Sequence, residues 1–183
     1  MNQANNLPLV AGQVATNEEQ QYLTFLLGGE MFAIAILYIK EIIEFGNLTE
    51  VPMMPAFIRG VINLRGSVVP VVDLSARFGR HRTEVSRRTC IVIIEAESSD
   101  GSKQDIGVMV DSVSEVLEIP RGEIEPPPAF GARIRADFIQ GMGKVAGKFV
   151  IILDANQVLS VDELSMLGQA AVVAPVALAE AAA

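Results

Sequence analysis

Tryptophan is absent from this chain, and aromatic residues of all kinds make up only 5% of its 183 positions. That shortage argues against a surface that binds single-stranded nucleic acid by stacking bases on rings. The net charge of -8 argues the same way, because a phosphate backbone is gripped by a cationic face. One cysteine, Cys90, excludes an intramolecular disulfide; within the aliphatic run TCIVIIEA it reads as an inert thiol in a buried strand. The single histidine, His81, lies far in sequence from any obvious nucleophile, and no group of residues has metal-ligand spacing, so neither metal nor catalytic site is expected. GMGKVAG lacks the spacing and the Ser or Thr after lysine of a phosphate loop. No apolar run is long enough to span a bilayer, and the N-terminus lacks the features of a signal peptide. A cytoplasmic protein without membrane insertion is the expectation.

What the chain has in plenty is aliphatic side chains. Half of its residues are hydrophobic, and valine, isoleucine and leucine dominate them, a mixture that favours β-structure. The ends differ from the middle: residues 1–19 read as a flexible segment and 169–183, QAAVVAPVALAEAAA, as an Ala-rich flexible tail. Residues 20–168 remain for folding. The basic cluster RFGRHRTEVSRR, 77–88, reads as a solvated loop, with contact to an acidic partner as the alternative.

An internal repeat organises the middle. FIRGVINLRGSVVPVVDL, 57–74, aligns without a gap on FIQGMGKVAGKFVIILDA, 138–155, at a constant offset of 81. Phe57, Ile58, Gly60, Gly66, Val69 and Asp73 recur as Phe138, Ile139, Gly141, Gly147, Val150 and Asp154. FAIAILYIKEIIE, 32–44, matches IGVMVDSVSEVLE, 106–118, at an offset of 74, with Glu41 over Glu115 and Glu44 over Glu118. Each repeat holds a hairpin closed at Arg65-Gly66 or Ala146-Gly147, where Gly66 and Gly147 supply the positive φ of a tight turn. About five short strands per half predict a mainly all-β fold: two small related barrels packed together, with short helices, one of them C-terminal.

Positions alike in both copies maintain the fold; positions that differ are candidates for function. Arg65 faces Ala146, Asn63 faces Lys144, and Pro70 faces Ile151. Arg65 is therefore either a partner contact at the hairpin tip or an ordinary turn arginine, exposed or paired with a carboxylate. Pro70, which cannot donate to a ladder, predicts an edge strand or a bulge, and with it a docking edge in the first half.

VINLRGSVVPVVDLSARFG, preceded by MPAFIRG and ILYIKEIIEF, resembles the signature of the CheW family of chemotaxis coupling proteins. QYLTFLLGGEMFAIAI, IGVMVDSVSEVLEI and FIQGMGKVAGKFVIILD resemble that family in order and spacing, from about Gln20 to Gly168. The resemblance implies two five-stranded SH3-like β-barrels related by a pseudo-two-fold. It implies an adaptor rather than an enzyme, without cofactor, joining methyl-accepting chemoreceptors to the regulatory domain of the histidine kinase CheA in arrays at the inner face of the membrane. On this reading Arg65 and Glu41, with the apolar Ile36 and Ile39, meet the receptor signalling tip. Ile42 and Val68 meet the kinase, and Phe130 a further kinase contact that closes rings. Glu125 stands where that contact would use an arginine, which puts its polar part in doubt. The alternatives are the same adaptor in a non-swimming chemosensory pathway, or a small barrel that binds a ligand or nucleic acid.

Overall fold

The computed structural model describes residues 20–127 and 134–160. The two terminal segments and Phe130 lie outside these residues, as does any helix beyond residue 160.

Gly28 and Gly29, with φ of 57° and 82°, turn β1 (Gln20–Leu27) back into β2 (Glu30–Ala35). A 3-10 turn at Ile36–Tyr38 leads into β3 (Ile39–Glu44). The NLRG hairpin joins β4 (Ile58–Leu64) to β5 (Ser67–Asp73), and Asp73 caps the single turn α1 (Leu74–Arg77) that follows. β6 (Cys90–Glu97) and β7 (Lys103–Val110) form the next hairpin. β8 (Ser112–Ile119), the short β9 (Ile124–Glu125), β10 (Ile139–Val145), β11 (Lys148–Leu153) and α2 (Ala155–Val158), capped by Asp154, complete the described chain.

These strands make two sheets, ordered β8-β1-β2-β11-β10-β9 and β3-β6-β7-β5-β4. They are the two barrels, yet neither barrel is one half of the sequence. The β1–β2 hairpin of the first repeat pairs with β8 and β11 of the second, and the β6–β7 hairpin of the second pairs with β3 and β5 of the first. Each repeat lends its leading hairpin to the other barrel. The pseudo-two-fold extends to most of the strand register, with one-residue differences at Glu41 and Glu115 and at Pro70 and Ile151. The register slips between Ile58 and Gly60 in one barrel and between Ile139 and Gly141 in the other. Glu41 pairs with Ile93 in β3·β6, where the flanking Ile42↔Val92 repeats as Val116↔Leu23 in β8·β1.

Burial follows from this exchange. The largest apolar cluster draws on both sheets, with Phe25, Phe32, Val92, Ile94 and Phe138 among its members. Two smaller clusters fill the barrel interiors, one around Tyr22, Ala33 and Ile152, the other around Ile62, Val71 and Met109. With each large aliphatic side chain contributing about 1.5–3 kcal/mol on burial, the contact between barrels is a principal source of stability. Arg77 reinforces it: its guanidinium lies 4.7 Å from the Phe57 ring centre and 5.0 Å from that of Phe138, the repeat partner of Phe57. Its Nε donates to the Val158 carbonyl at 3.2 Å.

Three expectations need correction. Pro70 is not on an edge strand: β5 lies between β4 and β7. Across from it, the Val61 N–H and carbonyl both bond to Thr49, so the Pro70 nitrogen faces the β7 side, where pairing begins only at Val71↔Gly107. In the second barrel, Ile151 has its N–H and the equivalent pairing starts one residue earlier, at Ile151↔Phe32. Cys90 is only partly buried, at the start of β6, where it packs against the edge of the main core with its Sγ donating to the Arg88 carbonyl at 3.3 Å. The basic loop is only partly solvated. Thr83 is buried and bonds the buried Asp73 carboxylate through its N–H (2.8 Å) and hydroxyl (2.9 Å), while Arg80 pairs with Glu30 at 3.0 Å. Among the described residues no helix is long and apolar enough to cross a membrane.

Candidate functional site

The NLRG turn has positive φ at both central positions, 51° at Arg65 and 88° at Gly66, and the second hairpin repeats this with 49° at Ala146 and 76° at Gly147. This is the geometry that matches the twist of two antiparallel strands joined by two residues. Asn63, which differs from its repeat partner, is a turn residue: its Oδ1 accepts the Gly66 N–H at 2.8 Å. Gly66 fits such a turn freely, whereas a side chain in this region costs about 1 kcal/mol. Arg65 accepts that strain and stands 78% exposed at the tip.

The tip reaches β3. Arg65 Nη2 lies 3.0 Å from Glu41 Oε2, and the Glu41 side chain is 25% exposed. Two residues far apart in sequence, both placed by the resemblance in the receptor-binding region, thus meet as an ion pair, the carboxylate pairing that an ordinary turn arginine also makes. Ile39 opens β3 and packs partly against the main core, while Ile36, in the preceding turn, is exposed beside it. Leu37, in the same turn and 65% exposed, escaped the sequence reading because it sits in an aliphatic run that looks like core. The signal was the break in alternation at Ile36-Leu37, where the strand stops.

Ile42 and Val68 are both exposed, Val68 to 71%, but they stand on β3 and β5, which β6 and β7 separate in the sheet. Ile42 faces the opposite side of β3 from Glu41, whereas Val68 directly follows the Arg65-Gly66 turn. A charged cluster flanks the Leu37 turn: Lys40 Nζ lies 2.7 Å from Asp105 and 3.2 Å from Glu95, and Lys103 lies 3.0 Å from Glu95. Hydrogen bonds from Lys103 and then Lys40 hold the Glu95 carboxyl below its ordinary value, and those to Asp105 and then Glu95 raise Lys40. The arrangement offers a carboxylate–guanidinium pair beside apolar side chains, suited to recognising a protein surface. Among the described residues no group of three or more His, Cys, Asp or Glu is placed to hold a metal.

Residues 21–163 match the model of the CheW-like domain. The chain is 30% identical over 152 residues to the chemotaxis protein CheW of Klebsiella aerogenes, covering 83% of this chain and 89% of that protein. It is also 30% identical over 129 residues to protein FrzA of Myxococcus xanthus, covering 70% and 77%. The crystal structure of the scaffolding protein TtCheW from Thermoanaerobacter tengcongensis matches with a TM-score of 0.67 and 32% identity, covering 84% of this chain and 90% of that one. Sequence and fold agree over the described barrels, and the chain belongs to the CheW-like family.

Proposed function

We propose that this protein is a chemotaxis adaptor that couples chemoreceptors to the histidine kinase CheA, with no chemistry of its own. Membership of a family of scaffold proteins supports the role, and one observation supports the site: Arg65 is held 3.0 Å from Glu41 on a turn whose backbone would prefer glycine. A guanidinium fixed in this way keeps donors free for a receptor helix tip, while Ile36 and Ile39 supply apolar contact. Ile42, on the opposite side of β3 from Glu41, and Val68 take the regulatory domain of the kinase. Phe130 completes the ring contact; it lies outside the described residues. The protein works in the cytoplasm, at receptor arrays beneath the membrane.

The test is binding of the wild type and Arg65→Ala to a purified receptor signalling hairpin and, separately, to the CheA regulatory domain, with circular dichroism to check the fold. Loss of about tenfold or more in receptor affinity with kinase binding unchanged is expected, since an anchor arginine contributes about 2 kcal/mol or more. Unchanged receptor binding would make Arg65 an ordinary turn residue.

A further inference from the structure

Because the barrels match in register, each position at the mouth of one has a counterpart in the other. Glu41, Ile43, Leu64, Arg65 and Val68 correspond to Glu115, Leu117, Val145, Ala146 and Phe149. In the first barrel the Arg65 guanidinium lies against Glu41. In the second, alanine replaces that arginine, and Glu115, Val145, Ala146 and Phe149 border an open cavity of about 620 Å³ that Met31, Met142 and Lys148 also line; Lys148 makes no ion pair with Glu115.

The Glu115 backbone is fixed twice by Thr24: its N–H donates to Thr24 Oγ1 at 3.2 Å, and its carbonyl accepts from the same hydroxyl at 2.7 Å. Its side chain makes no ion pair or hydrogen bond among the described residues. Glu30, the other carboxylate at the rim, is taken by Arg80. Phe149, 53% exposed, presents a ring to the same space. A carboxylate, an aromatic face and an aliphatic wall together suit a planar cation on an apolar stem, which is arginine rather than lysine.

We infer that this groove receives an arginine side chain from a partner protein. Its guanidinium sits on Glu115, as that of Arg65 sits on Glu41 in the first barrel, and its stem lies against Val145 and Phe149. The first barrel carries its own arginine on the carboxylate; the second has Ala146 there and leaves Glu115 open to one from outside.

The experiment is a ¹⁵N NMR titration of the full chain with acetyl-Leu-Arg-Gly-Val-amide and with the same peptide carrying glutamine in place of arginine. Shifts are expected at residues 115–117 and 145–149 with the arginine peptide. Glu115→Gln, or the glutamine peptide, should raise Kd about tenfold, the loss of one charge-assisted contact. Ala146→Arg, which rebuilds the first barrel's pair, should abolish the shifts, and the spectra themselves report that each variant is folded. Shifts that are absent, that centre on Glu41, or that persist unchanged in Glu115→Gln would overturn the assignment. Concentration-dependent shifts at these residues without peptide, lost in Arg65→Ala, would assign the arginine to a second copy of the chain and overturn a separate partner.

Discussion

Arg65 holds a backbone conformation that its own side chain disfavours, so its replacement separates stability from binding. Arg65→Gly relieves the φ of 51° and forfeits only an exposed ion pair with Glu41, worth about 0.5 kcal/mol. Thermal unfolding should therefore show the variant equal to or slightly more stable than the wild type, while receptor binding falls as it does in Arg65→Ala; a marked drop in Tm would mean the ion pair outweighs the strain. The Lys40–Glu95–Lys103 cluster gives a pH signature. Glu95 is held below its ordinary 4.5, so its contribution is present above that value and lost as pH falls through the depressed one. Lys40 and Lys103 are raised above 10.5, so theirs is present below that value and lost as pH rises through the elevated one. The Tm difference between wild type and Glu95→Gln should be small, largest near neutral pH, and gone in acid; a difference that persists below the carboxylate range would point to packing instead.

The strands are shaped by bulges where glycine has no substitute. At Gly60, with φ of 149°, an added Cβ would meet the Thr49 carbonyl oxygen and come within 2.8 Å of Leu48 Cδ2. Thr49 is the residue bridged to Val61 on the open side of β4, so the clash would push away the segment that pairs there. Gly147, with φ of 76° and nothing near its missing Cβ, carries conformational strain alone. Gly60→Ala should thus cost about 2–4 kcal/mol in urea unfolding and Gly147→Ala about 1 kcal/mol. Equal losses at the two sites would show that close approach at the bulge does not matter.

Exchange of the leading hairpins makes the two barrels one folding unit. Residues 1–85 contain β1 and β2 of one barrel with β3, β4 and β5 of the other, and residues 86–183 contain the complement. Neither piece can close a barrel, and each exposes the apolar face that the other covers. Each fragment expressed alone should lack a folded NMR spectrum, and mixing the two should restore it. The intact chain should unfold in a single cooperative transition. A fragment that folds by itself would contradict the exchange.

The sequence by itself determined the local pieces. The repeat, the Arg65-Gly66 turn and the aliphatic strands were all legible, because each depends on the chain's own residue pattern, whereas the caps at Asp73 and Asp154 appeared only with the structure. The family signature also led to Arg65 and Glu41 before any distance between them was known. Only the tertiary structure decided which strands pair. An aliphatic strand such as β2 has no local preference between β5 and β11 as its parallel neighbour, and burial across the whole molecule selects β11. The same holds for single residues. Cys90 reads as fully buried from its neighbours but starts its strand only partly buried at the core's edge, and Pro70 reads as an edge residue but sits in an inner strand where its neighbour has not yet begun. The repeat marks Glu115 and Ala146 as counterparts of Glu41 and Arg65, but they border a groove only because β8 and the β10–β11 hairpin meet at one barrel mouth. Contacts between distant segments are set by the total apolar surface they remove from water, and that sum exists only in the folded molecule.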